Sequence, residues 1–276
     1  MNTREILAVL RSAGLIQIVD NLRFVWEYIL RYPSNRLFLS SRRGEAFPPA
    51  YMLYEAFRMD YRKYWESGRA AAQWIQSVTA DDLPAGEPLQ ILDWGCGPAR
   101  VLRHLPAIFG EGHEFHGTDY NPATVAWCQK QPTFGKVTLS PSYPPSPYPE
   151  ASFDLIYGIS VFTHLPENAH YRWRDELLRI AKPGGLLFLT TQGPAFLEKM
   201  YASEQQLFRQ GKPVFRGNTQ EGHRTFSAFH PASWARIFFG GSFEILAYLP
   251  GEKKQWGIEQ DVWLVRKPRV PVTPPS

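Results

Sequence analysis

What most constrains this chain is an alternation of element types between residues 89 and 191. Five short apolar runs, LQILDW (89–94), EFHGTD (114–119), KVTLS (136–140), FDLIYGIS (153–160) and LLFLTT (186–191), read as strands. Stretches with helical spacing lie between them. Pro98 to Phe109 puts Val101, Leu102, Leu105 and Phe109 on one face. Asn121-Pro122 is an N-cap followed by a proline, opening a helix through Gln129. Pro166 opens a third helix carrying Trp173, Leu177, Ile180 and Ala181. Strands joined through helical crossovers pair in parallel, with the helices covering both faces of the sheet. FEILAYL (243–249) and DVWLVRK (261–267) are joined by a short loop and add an antiparallel end. The expected fold class is α/β, a doubly wound Rossmann-like sheet of seven strands with an antiparallel last strand.

The flanking segments read differently. Residues 1–85 are expected to be an N-terminal helical extension and 86–267 the main domain. Ile18, Val19, Leu22, Val25, Trp26, Ile29 and Leu30 mark one apolar helical face, ended by a break at Arg31-Tyr-Pro-Ser-Asn. That face, with Arg23 and Arg31 near it, is expected to pack on the domain or on a dimer partner rather than lie on a membrane. FPPAY (47–51) is a second break. Tyr61, Tyr64, Trp65, Gly68, Ala72 and Ile75 mark a further helix. Residues 194–240 read as mostly helix and loop, an inserted lid over a substrate. PSYPPSPYP (141–149) must be an extended connection, and the tail 268–276 is expected to be disordered.

Composition excludes several classes. Of 276 residues, 44% are hydrophobic and 20% charged, which fits a globular chain and not a disordered or fibrous one. No apolar run approaches the roughly 18 residues of a membrane span, so no integral membrane contact is expected. MNTREILAVLRSAG carries charges within its apolar stretch and makes a poor signal peptide. Cys96 and Cys128 are too few for a disulfide framework or a zinc site, which points to a reducing, cytoplasmic compartment. The net charge of +4 is spread as +2 over residues 1–85, −2 over 86–199 and +4 over 200–276. Without a dense basic stripe, a small-molecule partner is expected and nucleic acid is not.

The chemistry concentrates at Asp93-Trp-Gly95-Cys-Gly97-Pro-Ala-Arg100, between a strand and a helix. In an open α/β sheet, ligands bind at the carboxyl ends of the strands. A dinucleotide fingerprint requires a third glycine where Arg100 stands. Asp93 beside a pyrophosphate would also be repulsive. It suits a cationic ligand, such as a sulfonium compound bearing an ammonium group. Asp119, at the end of the next strand, can accept from two ribose hydroxyls, with Tyr120 beside it against an adenine. Together these residues describe an adenosine ligand with a cationic tail and no phosphates.

ILDWGCGPAR, GTDYNP, FDLIYGISVFTHLPE and LLRIAKPGGLLFLTT, in this order, resemble the motifs of class I S-adenosylmethionine-dependent methyltransferases. The resemblance covers residues 89–191 closely and 243–267 more loosely. It implies strand order 3-2-1-4-5-7-6 and S-adenosylmethionine as cofactor. It places Gly95, Gly97 and the backbone at Gly158 and Ile159 along the methionine part, Asp93 on its ammonium, and Asp119 on the ribose. Ser142 stands where many relatives have an Asp for the adenine amino group, and Ala99 replaces another frequent glycine.

On the acceptor side, His164 follows the fourth strand, and its ordinary pKa near 6.5 suits a general base. The competing reading is a helix-start histidine bonded to backbone. His223, Arg224 and His230, in EGHRTFSAFHP, and Trp256 are expected around the substrate. The two histidines lack an acid or thiol that would complete a metal site, so no metal is expected. The activity expected is methyl transfer to a small molecule such as a natural product or a sugar. The alternatives are a non-catalytic scaffold that binds S-adenosylmethionine and an NAD(P)-dependent oxidoreductase.

Overall fold

The computed structural model describes residues 16–57, 59–216 and 227–269. The chain divides into two compact units, residues 1–67 and 68–276. The tail from residue 270 and the stretch 217–226 lie outside the described residues.

The first unit is helical, with α1 (Ile16–Ser40), α2 (Ala50–Phe57) and the start of α3 (Tyr61–Thr79). Phe38, Leu53, Tyr64 and Trp65 form its core, with Phe47 and Tyr61 packed against them. The break expected at 31–35 does not occur, and α1 runs through Pro33. Pro33 faces solvent, and side chains on either side of it clamp the helix. Arg31 pairs with Asp60 at 2.9 Å, and Asn35 donates to the Met59 carbonyl at 2.6 Å. The inward face carries Phe24, Glu27, Arg31, Asn35 and Phe38, spaced three or four apart. The face expected to pack is therefore the outward one. Leu22, Val25, Trp26, Ile29 and Leu30 are all exposed.

The second unit holds the sheet. Its elements are β1 (Gln90–Trp94), α4 (Leu105–Phe109), β2 (Glu114–Asp119), α5 (Pro122–Cys128), β3 (Lys136–Leu139), β4 (Phe153–Gly158), α6 (Glu167–Ile180) and β5 (Ala181–Thr191). Then come α7 (Ala202–Arg209), β6 (Val214–Arg216), β7 (Ser227–Phe229), α8 (Ala232–Gly240), β8 (Glu244–Leu249), β9 (Lys253–Lys254), β10 (Gly257–Ile258) and β11 (Asp261–Arg266). The seven-stranded order is β3-β2-β1-β4-β5-β11-β8, with β11 antiparallel to both neighbours. This is the expected order. The central strands are buried on both faces, which is why they read as continuous apolar runs. Trp263 at the centre of β11 is fully buried, and its indole N–H donates to the Thr191 hydroxyl at 3.1 Å.

Three local expectations are corrected. The helix expected over 98–109 is broken into a turn, a 3-10 segment at Leu102–His104 and the short α4. Ala99 takes a left-handed φ of 56°, which no helix tolerates, and Pro106 removes an amide from the next turn. Residues 194–240 contain a small antiparallel pair, β6 with β7, besides helix and loop. The loop between β8 and β11 carries a hairpin of its own, β9 with β10.

α3 crosses the turn after β1 at Gly68. A Cβ there would lie 2.0 Å from the Arg100 carbonyl oxygen, so only glycine permits the crossing. The proline-rich connection 141–149 is pinned by α6. Trp173 donates to the Ser142 carbonyl at 3.0 Å, and Glu176 accepts from the Ser146 amide and hydroxyl at 2.7 and 2.6 Å.

Candidate active site

The turn after β1 alternates left-handed residues: Gly95 (φ 76°), Gly97 (φ 51°) and Ala99 (φ 56°). This winding turns successive amides toward the end of β2. Gly95 and Cys96 donate to the Thr118 carbonyl at 2.8 and 2.9 Å, and Gly97 donates to Asp119 Oδ2 at 3.0 Å. All three amides are thus consumed internally. A phosphate-binding nest needs such amides aimed outward, so the turn is not built for a pyrophosphate.

Asp119 is held from both sides, since its Oδ1 accepts from the Asn121 amide at 2.9 Å. A carboxylate offers about four acceptor positions, more than these two amides use. Asn121 caps α5 as expected, its Oδ1 accepting from Ala123 and Thr124.

Between these elements opens a solvent-connected cleft. Four residues expected at the cofactor site line it: Gly95, Asp119, Tyr120 and Ser142. Residues that sequence reasoning missed line it too, among them Ser140, Tyr143, Val161, Leu165 and Trp173. Trp173 reads as a core anchor from helical spacing alone. Its contact with the proline-rich connection brings it to the cleft, and no local pattern announces that.

Asp93 is buried beneath the glycine turn and is not one of the lining residues. Burial pushes its carboxyl up to about 7, against the pull of Tyr157, Arg100 and the Leu102 backbone. A buried acid held near neutrality fits a cationic group bound close above it. Gly95 and Gly158 are both crowded by neighbouring side chains. A Cβ on Gly95 would meet Val161 Cγ2 at 2.5 Å, and one on Gly158 would meet the Trp94 ring at 2.6 Å. The bareness of Gly158 thus serves packing, and neither it nor Ile159 lines the cleft.

On the acceptor side, His164 ends a 3-10 turn after β4, with Val161 and Leu165 of the cleft beside it in sequence. His223 and Arg224 lie outside the described residues. His230 is fully buried, and its Nε2 lies 2.8 Å from Nε2 of the equally buried His170. Burial holds both imidazoles below their ordinary pKa, His170 at about 4. Trp256, in the β9–β10 hairpin, is 72% exposed. Asp154 is a structural anchor, accepting from the Gln90 amide at 2.8 Å and from Lys182 Nζ at 2.7 Å. Both cysteines are buried with thiols pushed up by burial, Cys128 to about 12, so they pack rather than react. Among the described residues, no cluster of acids, histidines and cysteines is arranged for a metal.

Residues 92–189 match a family model described as "Methyltransferase domain". A tRNA (carboxymethyluridine(34)-5-O)-methyltransferase of Arabidopsis thaliana is 32% identical over 43% of this chain and 28% of its own length. A 2-methyl-6-phytyl-1,4-hydroquinone methyltransferase of a Synechocystis strain is 31% identical over 43% of this chain and 35% of its own. The match thus spans about a third of these curated relatives. Among solved structures, the 1,6-didemethyltoxoflavin-N1-methyltransferase of Burkholderia thailandensis, with 1,6-didemethyltoxoflavin and S-adenosylhomocysteine bound, superposes with a TM-score of 0.54. It is 16% identical, over 82% of this chain and 92% of that one.

Proposed function

We propose that the chain, whose residues 92–189 match a methyltransferase domain model, is a class I S-adenosylmethionine-dependent methyltransferase that transfers the methyl group to a small-molecule acceptor. The observation that carries this reading is Asp119. Its carboxylate is oriented by two backbone amides at the end of β2, facing a cleft whose glycine turn has no amides left for phosphate. Ribose hydroxyls donate to Asp119, and Tyr120, Tyr143 and Ser142 bound the adenine. Gly95 allows close backbone approach to the methionine part, and Asp93 supplies the negative charge beneath its ammonium.

When bound, the cofactor supplies an activated methyl group, so the protein's task is alignment and exclusion of water. The turn from Ser160 to His164 borders the place where an acceptor must stand. Ser160 is held in a left-handed conformation (φ 63°) by its amide, which donates to the Thr190 hydroxyl at 2.8 Å. His164 is the candidate to take a proton from an OH or NH nucleophile. Trp256, His223 and Arg224 remain candidates for acceptor contact. His230 is a packing residue in this reading. The Arabidopsis relative is named for tRNA, but basic charge on this chain is scattered, which favours a small acceptor.

Thermal stabilisation by S-adenosylhomocysteine, beside NAD and NADP, tests the cofactor. A ligand at 100 times its Kd adds about 2.7 kcal/mol, enough to raise the melting temperature visibly. The expected result is a shift with S-adenosylhomocysteine alone. A shift with a nicotinamide alone would overturn the reading of Asp93 and Asp119. Binding without turnover on any acceptor would favour a scaffold role.

A further inference from the structure

Helix α1 presents a broad apolar face to solvent and turns a mixed face, polar residues between two phenylalanines, to its own unit. Leu22, Val25, Trp26, Ile29, Leu30 and Leu37 are each more than half exposed. On a helix of 3.6 residues per turn they form one continuous stripe. Phe24, Glu27, Arg31, Asn35 and Phe38 turn inward instead, tied down by the Arg31–Asp60 ion pair and the Asn35 bonds to Met59 and Tyr61. A soluble helix does the reverse. Six large exposed apolar side chains on one face make the kind of patch that marks an interaction surface.

Charge decides what covers the stripe. Arg36 shares the azimuth of Val25 and Ile29, about three and two turns further along the helix, Arg23 lies at the opposite edge, and both are exposed. No acidic residue falls on the stripe between Leu22 and Ser40, because Glu27 is half a turn away on the inward side. Two copies pairing stripe to stripe would press Arg36 against apolar side chains with no acid to meet it. An anionic bilayer accepts the stripe among its acyl chains and the arginines among its phosphates. Trp26 and Tyr32 are residue types that favour the membrane–water boundary.

We propose that α1 is a peripheral membrane anchor, lying flat on an anionic lipid surface through Leu22, Trp26, Ile29 and Leu37, with Arg23 and Arg36 on the headgroups. It does not span, since among the described residues no helix is long and apolar enough to cross a membrane.

The test is cosedimentation of the full chain with phosphatidylcholine vesicles, with and without phosphatidylglycerol. Binding to the anionic vesicles is expected, weakening as salt rises. W26E/I29E should weaken it at least about tenfold, and R36E about fivefold or more. These substitutions fall on an exposed face, so circular dichroism and melting temperature should not change. Failure to bind either vesicle, equal binding to both, or binding that W26E/I29E leaves intact would each overturn the proposal. So would a chain that ignores vesicles and sediments as a dimer dissociated by W26E/I29E, which would give the stripe to a second copy.

Discussion

Two carboxylates one strand apart are set for different work. Asp119 is held by backbone amides at the cleft, so Asp119→Ala should weaken S-adenosylhomocysteine binding by about 1–3 kcal/mol, read by calorimetry. Asp93 is raised to about 7 by burial. The sign of its effect on stability is the reverse of a paired acid. Between about pH 4 and 7 the folded state binds the extra proton, so this group's contribution to stability is lost as pH rises. Asp93→Asn should therefore gain stability over the wild type that grows across this window, while losing affinity for the cofactor. A variant less stable than wild type at pH 8 would contradict the burial argument. For His164→Ala, kcat should fall about 10²–10⁴-fold with cofactor affinity kept, if the histidine takes the proton. A loss below tenfold would leave alignment alone to drive transfer.

The buried His170–His230 contact ties α6 to β7. His170 Nδ1 lies 2.9 Å from the Pro166 carbonyl, which accepts only if that nitrogen carries the proton. Nε2 of His170 is then an acceptor, and His230 donates to it. A second proton would set two N–H groups against each other in an apolar pocket of Phe162, Phe215 and Trp234. Both pKa values lie below the unfolded value of about 6.5, so the contact's stabilisation is full above that pH. It is lost as pH falls toward about 4, on the order of a few kcal/mol. NMR of the ring protons should show no titration of either residue above about pH 5. A titration midpoint near 6.5 would mean the pair opens to solvent. The opposite signs of Asp93 and this pair mean that a wild-type pH–stability curve alone resolves neither.

At the scale of the molecule, charge distribution predicts the acceptor's size class. With S-adenosylmethionine labelled on its methyl group, label from a total extract should enter low-molecular-weight material and resist ribonuclease. Label in RNA would move the chain toward the activity named for its Arabidopsis relative. The N-terminal unit adds the second expectation, that the enzyme works at an anionic lipid surface, and the two experiments are independent of each other.

Much of this molecule was legible in its sequence because the sheet's signals are local. A central strand needs a continuous apolar run, a crossover needs helical spacing, and a tight turn needs glycine, so β1 to β5 and the Asp119 end of β2 could be read residue by residue, while their order in the sheet came from the family resemblance. The interrupted helix at 98–109 was missed because Ala99 adopts a backbone conformation that its side chain does not advertise. Only the tertiary structure could decide which face of α1 points inward. Hydrophobicity predicts the apolar stripe, but a salt bridge and an asparagine contacting residues 24 to 29 positions away, with Phe38 in the core, turned the opposite face in. The same holds for His230, assigned to the substrate from its neighbours in sequence and placed in the core by a partner 60 residues earlier. Periodicity reports what a segment would prefer to bury. What it buries is settled by the groups that distant parts of the chain bring to it.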